Sequence, residues 1–219
     1  MPKLLFSKKG NAVWISHLDL MRLFQRAFKR AGLHLKHTQG FNPRPSVSIA
    51  LPLSVGVESE CELLEFDLDG QELSCTEIKD RLNAALVKGV EVREVYEGGR
   101  KYRDLSLLSC RIAFSYDAGV PENAVEQISA LFARDSVVLP KKTKNGMQEQ
   151  DIIPMIRRAV FTQTDAHTVI ADVLICCQNP TLNPAQFALA IATFLPELTP
   201  SHWRCRRLEM FDSKEEVFR

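Results

Sequence analysis

The segment SHLDLMRLFQRAFKRAG, residues 16–32, decides the first part of the fold. Apolar side chains recur in it every three or four residues, a spacing that places them on one face of an α-helix. Ser16 belongs to the residue types that cap helix N-termini, and Gly32 to those that end helices. The segment therefore predicts an amphipathic helix with a cationic solvent face, whose basic residues are Arg22, Arg26, Lys29 and Arg30.

Strand patterns flank this helix within the first half of the chain. Alternating apolar and polar residues, bounded by turn residues, predict strands. The predicted strands lie at 3–7, 33–37, 47–51, 64–68 and 90–96, and a second helix runs from about Thr76 to Leu86. We interpret the element order as β-α-β-β-α-β, which is the order of a ferredoxin-like unit.

The second half of the chain repeats this element order. Strand patterns occupy 110–116, 137–139, 159–162, 168–176 and 202–211, with one helix after Pro121 and another after Pro184. The basic cluster Lys141–Gly146, at the start of a hydrophilic stretch that runs to Gln150, is predicted to lie on a flexible loop. We therefore expect an α+β protein made of two tandem ferredoxin-like (βαββαβ) halves with antiparallel sheets, residues 1–104 and 105–219.

Composition limits the functional classes. The 219 residues are 45% hydrophobic, enough for a substantial core. The longest apolar run, Phe187–Leu195, is too short to span a membrane, and the N-terminal residues do not resemble a signal peptide, so we expect a cytoplasmic protein. The six cysteines are scattered and form no C-x-x-C pair, which predicts reduced core residues rather than disulfides, a zinc site or an iron–sulfur cluster.

A strong charge asymmetry underlies the net charge of +1. Residues 1–50 contain nine cations against one anion, a net +8, whereas residues 51–99 contain four cations against twelve anions, a net −8. The basic block is suited to a polyanion such as RNA. The alternative is that the two blocks neutralise each other within the fold.

The basic block suggests how RNA would be held. Arginines along a helix offer forked donors to successive phosphates, and Phe41, if exposed on the loop GFNPRP at 40–45, could stack on an unpaired base. A second basic cluster near residue 142 could act as a clamp. The predicted RNA-binding residues are His17, Arg22, Arg26, Lys29, Arg30, Lys36, Gly40, Phe41, Asn42, Arg44, Lys141, Lys142 and Lys144.

Several of these residues also have structural interpretations. His17 and Asp19 could simply complete the helix cap, with capping favoured for Asp19, and Phe41 could fill the core. The basic cluster near residue 142 could be a solvated hairpin tip without a function. For His17, Ser16 and His37, acid–base cleavage of RNA without a metal is conceivable, but no catalytic residue is predicted. No phosphate-binding or dinucleotide-binding loop occurs in the sequence.

Five strings together resemble a known family, the uncharacterised bacterial radical-SAM-linked proteins. They are SHLDLMR (16–22), RAFKRAG (26–32), GFNPRP (40–45), LPLSVGVES (51–59) and KTKNGMQEQDI (142–152). Arg44 departs from the pattern, since histidine is frequent there in the family.

The resemblance implies association with a radical SAM protein, encoded beside this chain or fused to it. This chain lacks the C-x-x-x-C-x-x-C motif, so no cofactor is expected on it. The partner would carry the iron–sulfur cluster and S-adenosylmethionine. The leading hypothesis is an accessory protein that presents tRNA or ribosomal RNA to that partner. The alternatives are a metal-independent RNA endonuclease of the CRISPR repeat-processing type and a protein–protein scaffold for the radical SAM protein.

Overall fold

The structure is a computed structural model that describes residues 1–70, 72–143 and 146–219. In these ranges the chain forms an α+β fold with four α-helices. It divides into two compact units, Met1–Tyr102 together with Arg219, and Arg103–Phe218. None of the helices in these ranges combines the length and hydropathy that a membrane-spanning helix needs.

The first unit alternates strands and helices in the predicted order. Its elements are β1 (Lys3–Lys8), a 3₁₀-helix (Gly10–Trp14), α1 (His17–Arg30), β2 (Val47–Ile49), β3 (Glu58–Phe66), α2 (Cys75–Ala85) and β4 (Val90–Tyr96). Within this unit the strands lie in the order β4-β1-β3-β2, and the neighbours are antiparallel. Leu64 of β3 is paired with Leu4 on one side and with Ile49 on the other.

The core of the first unit explains why α1 forms where it does. Leu20, Phe24, Ala27 and Phe28 are buried along one stripe of the helix. The rings of Phe6 and Phe24 meet edge to face with centroids 4.7 Å apart, and Phe28 lies 5.0 Å from Phe66. The predicted amphipathic pattern is confirmed, because these four residues pack against the sheet while the cations face solvent.

Both ends of α1 are closed by hydrogen bonds that its sequence anticipates. Ser16 Oγ accepts a hydrogen bond of 3.2 Å from the Asp19 N–H. At the other end Gly32, with φ of +68°, donates to the Lys29 carbonyl, and Leu33 donates to the Phe28 carbonyl. This pair of bonds is a Schellman motif, which requires a left-handed residue where glycine is strain-free.

The second unit has a comparable sheet and an additional hairpin. Its elements are β5 (Leu107–Ser115), α3 (Ala124–Phe132), β6 (Val138–Thr143), β7 (Gly146–Asp151), β8 (Ile156–Asp165), β9 (Thr168–Cys176), α4 (Ala185–Phe194) and β10 (His202–Phe211). The strand order is β10-β5-β9-β8 with antiparallel neighbours, and β6 and β7 form a separate two-stranded sheet. Its core includes the stacked rings of Phe132, Phe161 and Phe187.

Two local predictions are wrong. The alternating segment 33–37 forms no strand and contributes only isolated bridges, Leu35 with Leu68 and His37 with Pro45. The flexible loop predicted at 141–146 is wrong for the residues that the structure describes, because 138–143 pair with 146–151 as a hairpin. Residues 144 and 145 lie outside the described residues. The backbone N–H groups of Val137 and Ile153 donate to Asp151 Oδ1 at the base of that hairpin. The bond from Val137 is the main reason that the pKa of Asp151 lies below its usual value.

All six cysteines lie within the described residues, and none of them forms a disulfide there. Five of them are buried, and Cys75 is partly buried at the start of α2. This agrees with the prediction that they are core residues rather than disulfide partners.

Candidate nucleic-acid interface

The solvent face of α1 carries three of the basic residues that the sequence singled out, Arg22, Arg26 and Lys29. Because successive helical residues are rotated by about 100°, these three residues and Leu18 point to the same side, opposite the buried stripe. All four side chains are exposed. Over the helix length of about 21 Å, this side offers a row of cationic donors.

Internal partners engage three of the predicted cations. Arg22 Nη1 lies 3.1 Å from Asp19 Oδ1, and Lys36 Nζ lies 3.1 Å from Asp67 Oδ2. Arg30 Nη2 donates a 2.7 Å hydrogen bond to the carbonyl of Ala85, near the end of α2. The expected neutralisation between the two charge blocks is therefore real in part, since Lys36 belongs to the basic block and Asp67 to the acidic one.

The other cations of the basic block at 1–50 fall into two groups: those that are buried or paired with an anion, and those that are exposed. Lys3 and Lys8 are buried, and Lys9 pairs with Glu60 at 2.7 Å. By contrast, the side chains of Arg26, Lys29 and Arg44 are exposed and form no hydrogen bond or ion pair with any residue that the structure describes. Arg26 and Lys29, with the solvent-facing Arg22 of the same helix, form what we call the cationic face. Arg44 belongs to the loop at 38–44.

Asp19 serves the helix start. Besides the bond from its backbone to Ser16, its carboxylate accepts a 2.8 Å hydrogen bond from the Ser16 hydroxyl. That bond, together with Arg22, lowers the pKa of Asp19 below its usual value. The adjacent His17 is partly exposed in the first turn, and its Nδ1 has no hydrogen-bond partner in the described chain. Capping is thus the better description of Asp19.

The loop at 38–44 holds Phe41 away from the core. Its base is closed by a 2.8 Å hydrogen bond from the Thr38 N–H to the Arg44 carbonyl and a 3.0 Å bond from the Arg44 N–H to Thr38 Oγ1. Gly40 has φ of +136°, where other residues would be strained. Phe41 has a relative exposure of 108%, which excludes the interpretation that it fills the core. Asn42 is exposed in the same loop.

The second basic cluster lies in the second unit and is described only in part. Lys141 is half-buried on β6, whereas the side chain of Lys142 and the whole of Lys144 fall outside the described residues. Arg157 and Arg158 are exposed on β8 and line an open cavity of about 200 Å³ beside the end of α3. The second unit therefore also carries exposed cations, which line part of this cavity.

The sequence did not single out Trp14, although it is exposed near the start of α1. It sits in the apolar run 12–15, which by composition alone resembles buried chain. The 3₁₀-helix turns Ala12 and Val13 inward and Trp14 outward. No cluster of three or more His, Cys, Asp or Glu side chains able to hold a metal ion is found in the described ranges.

Comparison with protein families matches residues 3–184 to a family described as an uncharacterized protein conserved in bacteria, DUF2344. The chain belongs to this family. The match covers α1, the loop at 38–44 and most of the second unit of this DUF2344 protein. No curated protein matches its sequence.

Solved structures resemble the DUF2344 protein in fold. A chain in the crystal structure of a Cbf5-Nop10-Gar1 complex aligns with a TM-score of 0.52 and 10% identity, covering 95% of this chain and 48% of that chain. The protein thus spans about half the length of that chain. An unknown protein from Galdieria sulphuraria aligns at 9% identity over 94% of this chain and 96% of its own, with a TM-score of only 0.26, from which no relationship follows.

Proposed function

We propose that this protein binds RNA through the cationic face and the Phe41 loop, and presents that RNA to a radical SAM partner. The observation that carries the proposal is the full exposure of Phe41 on a closed loop, in the same unit as three exposed cations. These cations, Arg26, Lys29 and Arg44, form no side-chain hydrogen bond or ion pair with the residues that the structure describes. An exposed aromatic ring and unpartnered cations are the two elements that proteins combine to hold single-stranded nucleic acid.

The cationic face supplies the attraction to the RNA backbone. Guanidinium groups donate two hydrogen bonds to one phosphate, and ammonium groups act as point charges. Arg22 is shared with Asp19, but its side chain is 65% exposed, which leaves donors facing solvent. Each phosphate that these residues neutralise releases counterions, so affinity would depend steeply on salt.

Phe41 supplies a contact that phosphates do not. A phenylalanine side chain left in water forgoes roughly 1.5–3 kcal/mol of burial, so its placement contributes nothing to the core. Stacking a base on it would recover part of that free energy, because every nucleobase has an apolar face. Gly40, without a side chain, lets the RNA backbone pass close to the loop.

The radical SAM partner enters from the sequence resemblance. Within the proposal the partner supplies the iron–sulfur cluster, the S-adenosylmethionine and the reaction, while this chain supplies substrate binding. The RNA proposed is structured, tRNA or ribosomal RNA, with unpaired nucleotides at the site of contact.

The test compares two triple variants by fluorescence anisotropy with labelled tRNA over a salt series. The variant Arg22→Ala/Arg26→Ala/Lys29→Ala should bind more weakly. The slope of its log affinity against log salt should be smaller in magnitude by about two, because each phosphate contact on unpaired RNA contributes about 0.7 to that slope. The control Lys79→Ala/Arg81→Ala/Lys88→Ala removes the same number of cations from α2 and its C-terminal loop, and should leave the slope almost unchanged.

Two outcomes would reject the proposal. Equal slopes for both triple variants would show that the attraction is not local to α1. An unchanged RNA affinity in Phe41→Ala would show that Phe41 makes no stacking contact with the RNA. The alternative hypothesis of a metal-independent RNA endonuclease is less well supported. Among the described residues, nothing hydrogen-bonds Nδ1 of His17 to form an acid–base pair.

A further inference from the structure

Trp14 is the most exposed tryptophan surface of the chain, and it stands where α1 begins. Trp14 is 70% exposed, and Leu18, in the first turn of α1, is 67% exposed. Val55, beside Gly56, is also exposed. Such apolar groups gain most from burial, and tryptophan more than others, so an indole held in water on an ordered element indicates a contact surface.

The backbone beneath Trp14 is fixed by several hydrogen bonds. The Gly56 N–H donates to the Val13 carbonyl at 2.9 Å, which ties the 53–57 loop to the 3₁₀-helix. Lys8, fully buried, donates from Nζ to the Ile15 carbonyl at 2.8 Å. The residues immediately before and after Trp14 are therefore both held in place.

Gly56 lies beside the indole ring. A Cβ atom built on Gly56 would lie 3.8 Å from Cζ3 of Trp14, so a side chain at this position would contact the ring. Because Trp14 is mostly exposed and the backbone on both sides of it is held, the ring offers a flat surface for stacking. We call Trp14, with Gly56 beside it, the indole shelf.

The indole shelf lies just before the start of α1, the helix that carries the cationic face. Trp14 ends the 3₁₀-helix, and two residues separate it from the first residue of α1. Arg22, Arg26 and Lys29 point to one side of that helix. An RNA strand whose phosphates follow Lys29, Arg26 and Arg22 toward the helix start would therefore reach the end of the helix at which Trp14 lies.

We propose that the indole shelf stacks on an unpaired base of the RNA strand whose phosphates follow α1. This inference rests on the proposed function and defines its substrate class: a single-stranded RNA segment, with two separate aromatic stacking points, Trp14 and Phe41. A base pair in a duplex is covered by its neighbours on both faces, so duplex RNA cannot use the shelf except at an end.

The surroundings of Trp14 favour RNA over a protein partner. A stable protein interface buries at least about 1,000 Å² around a contiguous apolar centre that is depleted in charge. Here the exposed apolar groups are three side chains bordered by Asp19 and Arg22. A single exposed ring on a backbone held by hydrogen bonds, close to a row of cations, is instead typical of sites that bind single strands.

The experiment uses tryptophan fluorescence in the full-length chain. Trp203→Phe leaves Trp14 as its one tryptophan, since the sequence contains two. Oligouridine of roughly 12 nucleotides should quench this fluorescence on binding, whereas a blunt duplex of the same length should not. In the wild-type background, Trp14→Ala should weaken oligouridine binding about tenfold without changing its salt slope, and Trp14→Phe should retain most of the affinity.

Leu189→Ala, a comparable loss of an exposed apolar side chain on α4, is the matched control and should bind oligouridine as the wild type does. If oligouridine binds without quenching Trp14, and Trp14→Ala leaves its affinity unchanged, base stacking on the indole shelf is rejected and the proposed function stands. If no RNA binds at any salt concentration, the proposed function itself fails. Loss of radical SAM protein binding in Trp14→Ala, with RNA affinity intact, would overturn the inference in favour of a protein contact.

Discussion

Helices α1 and α3 occupy the same place in the element order of their units but present opposite kinds of surface. Each packs a stripe of apolar residues against its own sheet. On the solvent side α1 carries the cationic face, whereas α3 exposes Glu126, Gln127, Ser129 and Ala130. The buried stripes of the two helices therefore pack in similar ways, and the two surfaces differ in residues that this packing does not constrain.

The dry side of α1 provides the largest expected effect. Phe24→Ala should lower the free energy of unfolding by about 3–5 kcal/mol, because it removes a fully buried ring in edge-to-face contact with Phe6. Arg26→Ala, two residues on, should change it by less than about 0.5 kcal/mol. Urea titration followed by circular dichroism measures both. Similar losses in the two variants would break the separation between a structural side and a binding side of α1.

The caps of the two helices differ, which gives an intermediate effect. Ser16 caps α1 with its side chain, while Asn123 precedes α3 with φ of +56° and makes no side-chain cap. Ser16→Ala should cost about 1 kcal/mol of unfolding free energy. Asn123→Gly should change it by less than about 0.5 kcal/mol, because glycine adopts the left-handed conformation without strain. Equal costs at the two positions, measured by urea titration, would show that the caps are equivalent.

The smallest effect concerns the carboxylate of Asp19. Ser16, first, and Arg22 lower its pKa below the usual value of 3.8, so its folded pKa lies below its unfolded one. The stability that this carboxylate contributes is therefore present at neutral pH and is lost as the pH falls through the lowered pKa. Carboxyl NMR titration should show that Ser16→Ala raises the pKa of Asp19.

Asp165 of the second unit is the control for that titration. Its pKa is lowered chiefly by a hydrogen bond from the backbone N–H of His167, which the substitution leaves intact. A pKa of Asp19 that does not move in Ser16→Ala would contradict the capping description.

Sequence alone predicted the parts of the fold that local patterns determine. The stripe of α1, its Ser16 cap and its Gly32 stop are all confirmed, because each depends on residues within one helix. The strand predicted at 33–37 failed although its residues alternate, since a strand also needs a partner of matching length, and here only single bridges form. Strand β7 was not predicted, because its exposed polar side chains give no hydrophobic pattern, and a hairpin at this place was only the alternative to a loop.

The candidate site was predictable in its chemistry but not in its membership. Nothing local distinguishes Lys36, which pairs with Asp67, from Arg26, which has no partner in the described chain. The burial of Lys8 likewise follows from its place in a central strand rather than from its own sequence context. Charge counted along a chain therefore overstates the charge that a ligand meets.

The exposure of Phe41 has a consequence for how selection acts on this protein. At most positions a substitution alters stability and binding together, so a change in fitness cannot be assigned to either. Phe41 contacts no core, so replacing it leaves the folded population essentially unchanged. In a library of substitutions at position 41 assayed by growth, the residues that are tolerated would consequently be determined by ligand binding and not by the stability of the fold.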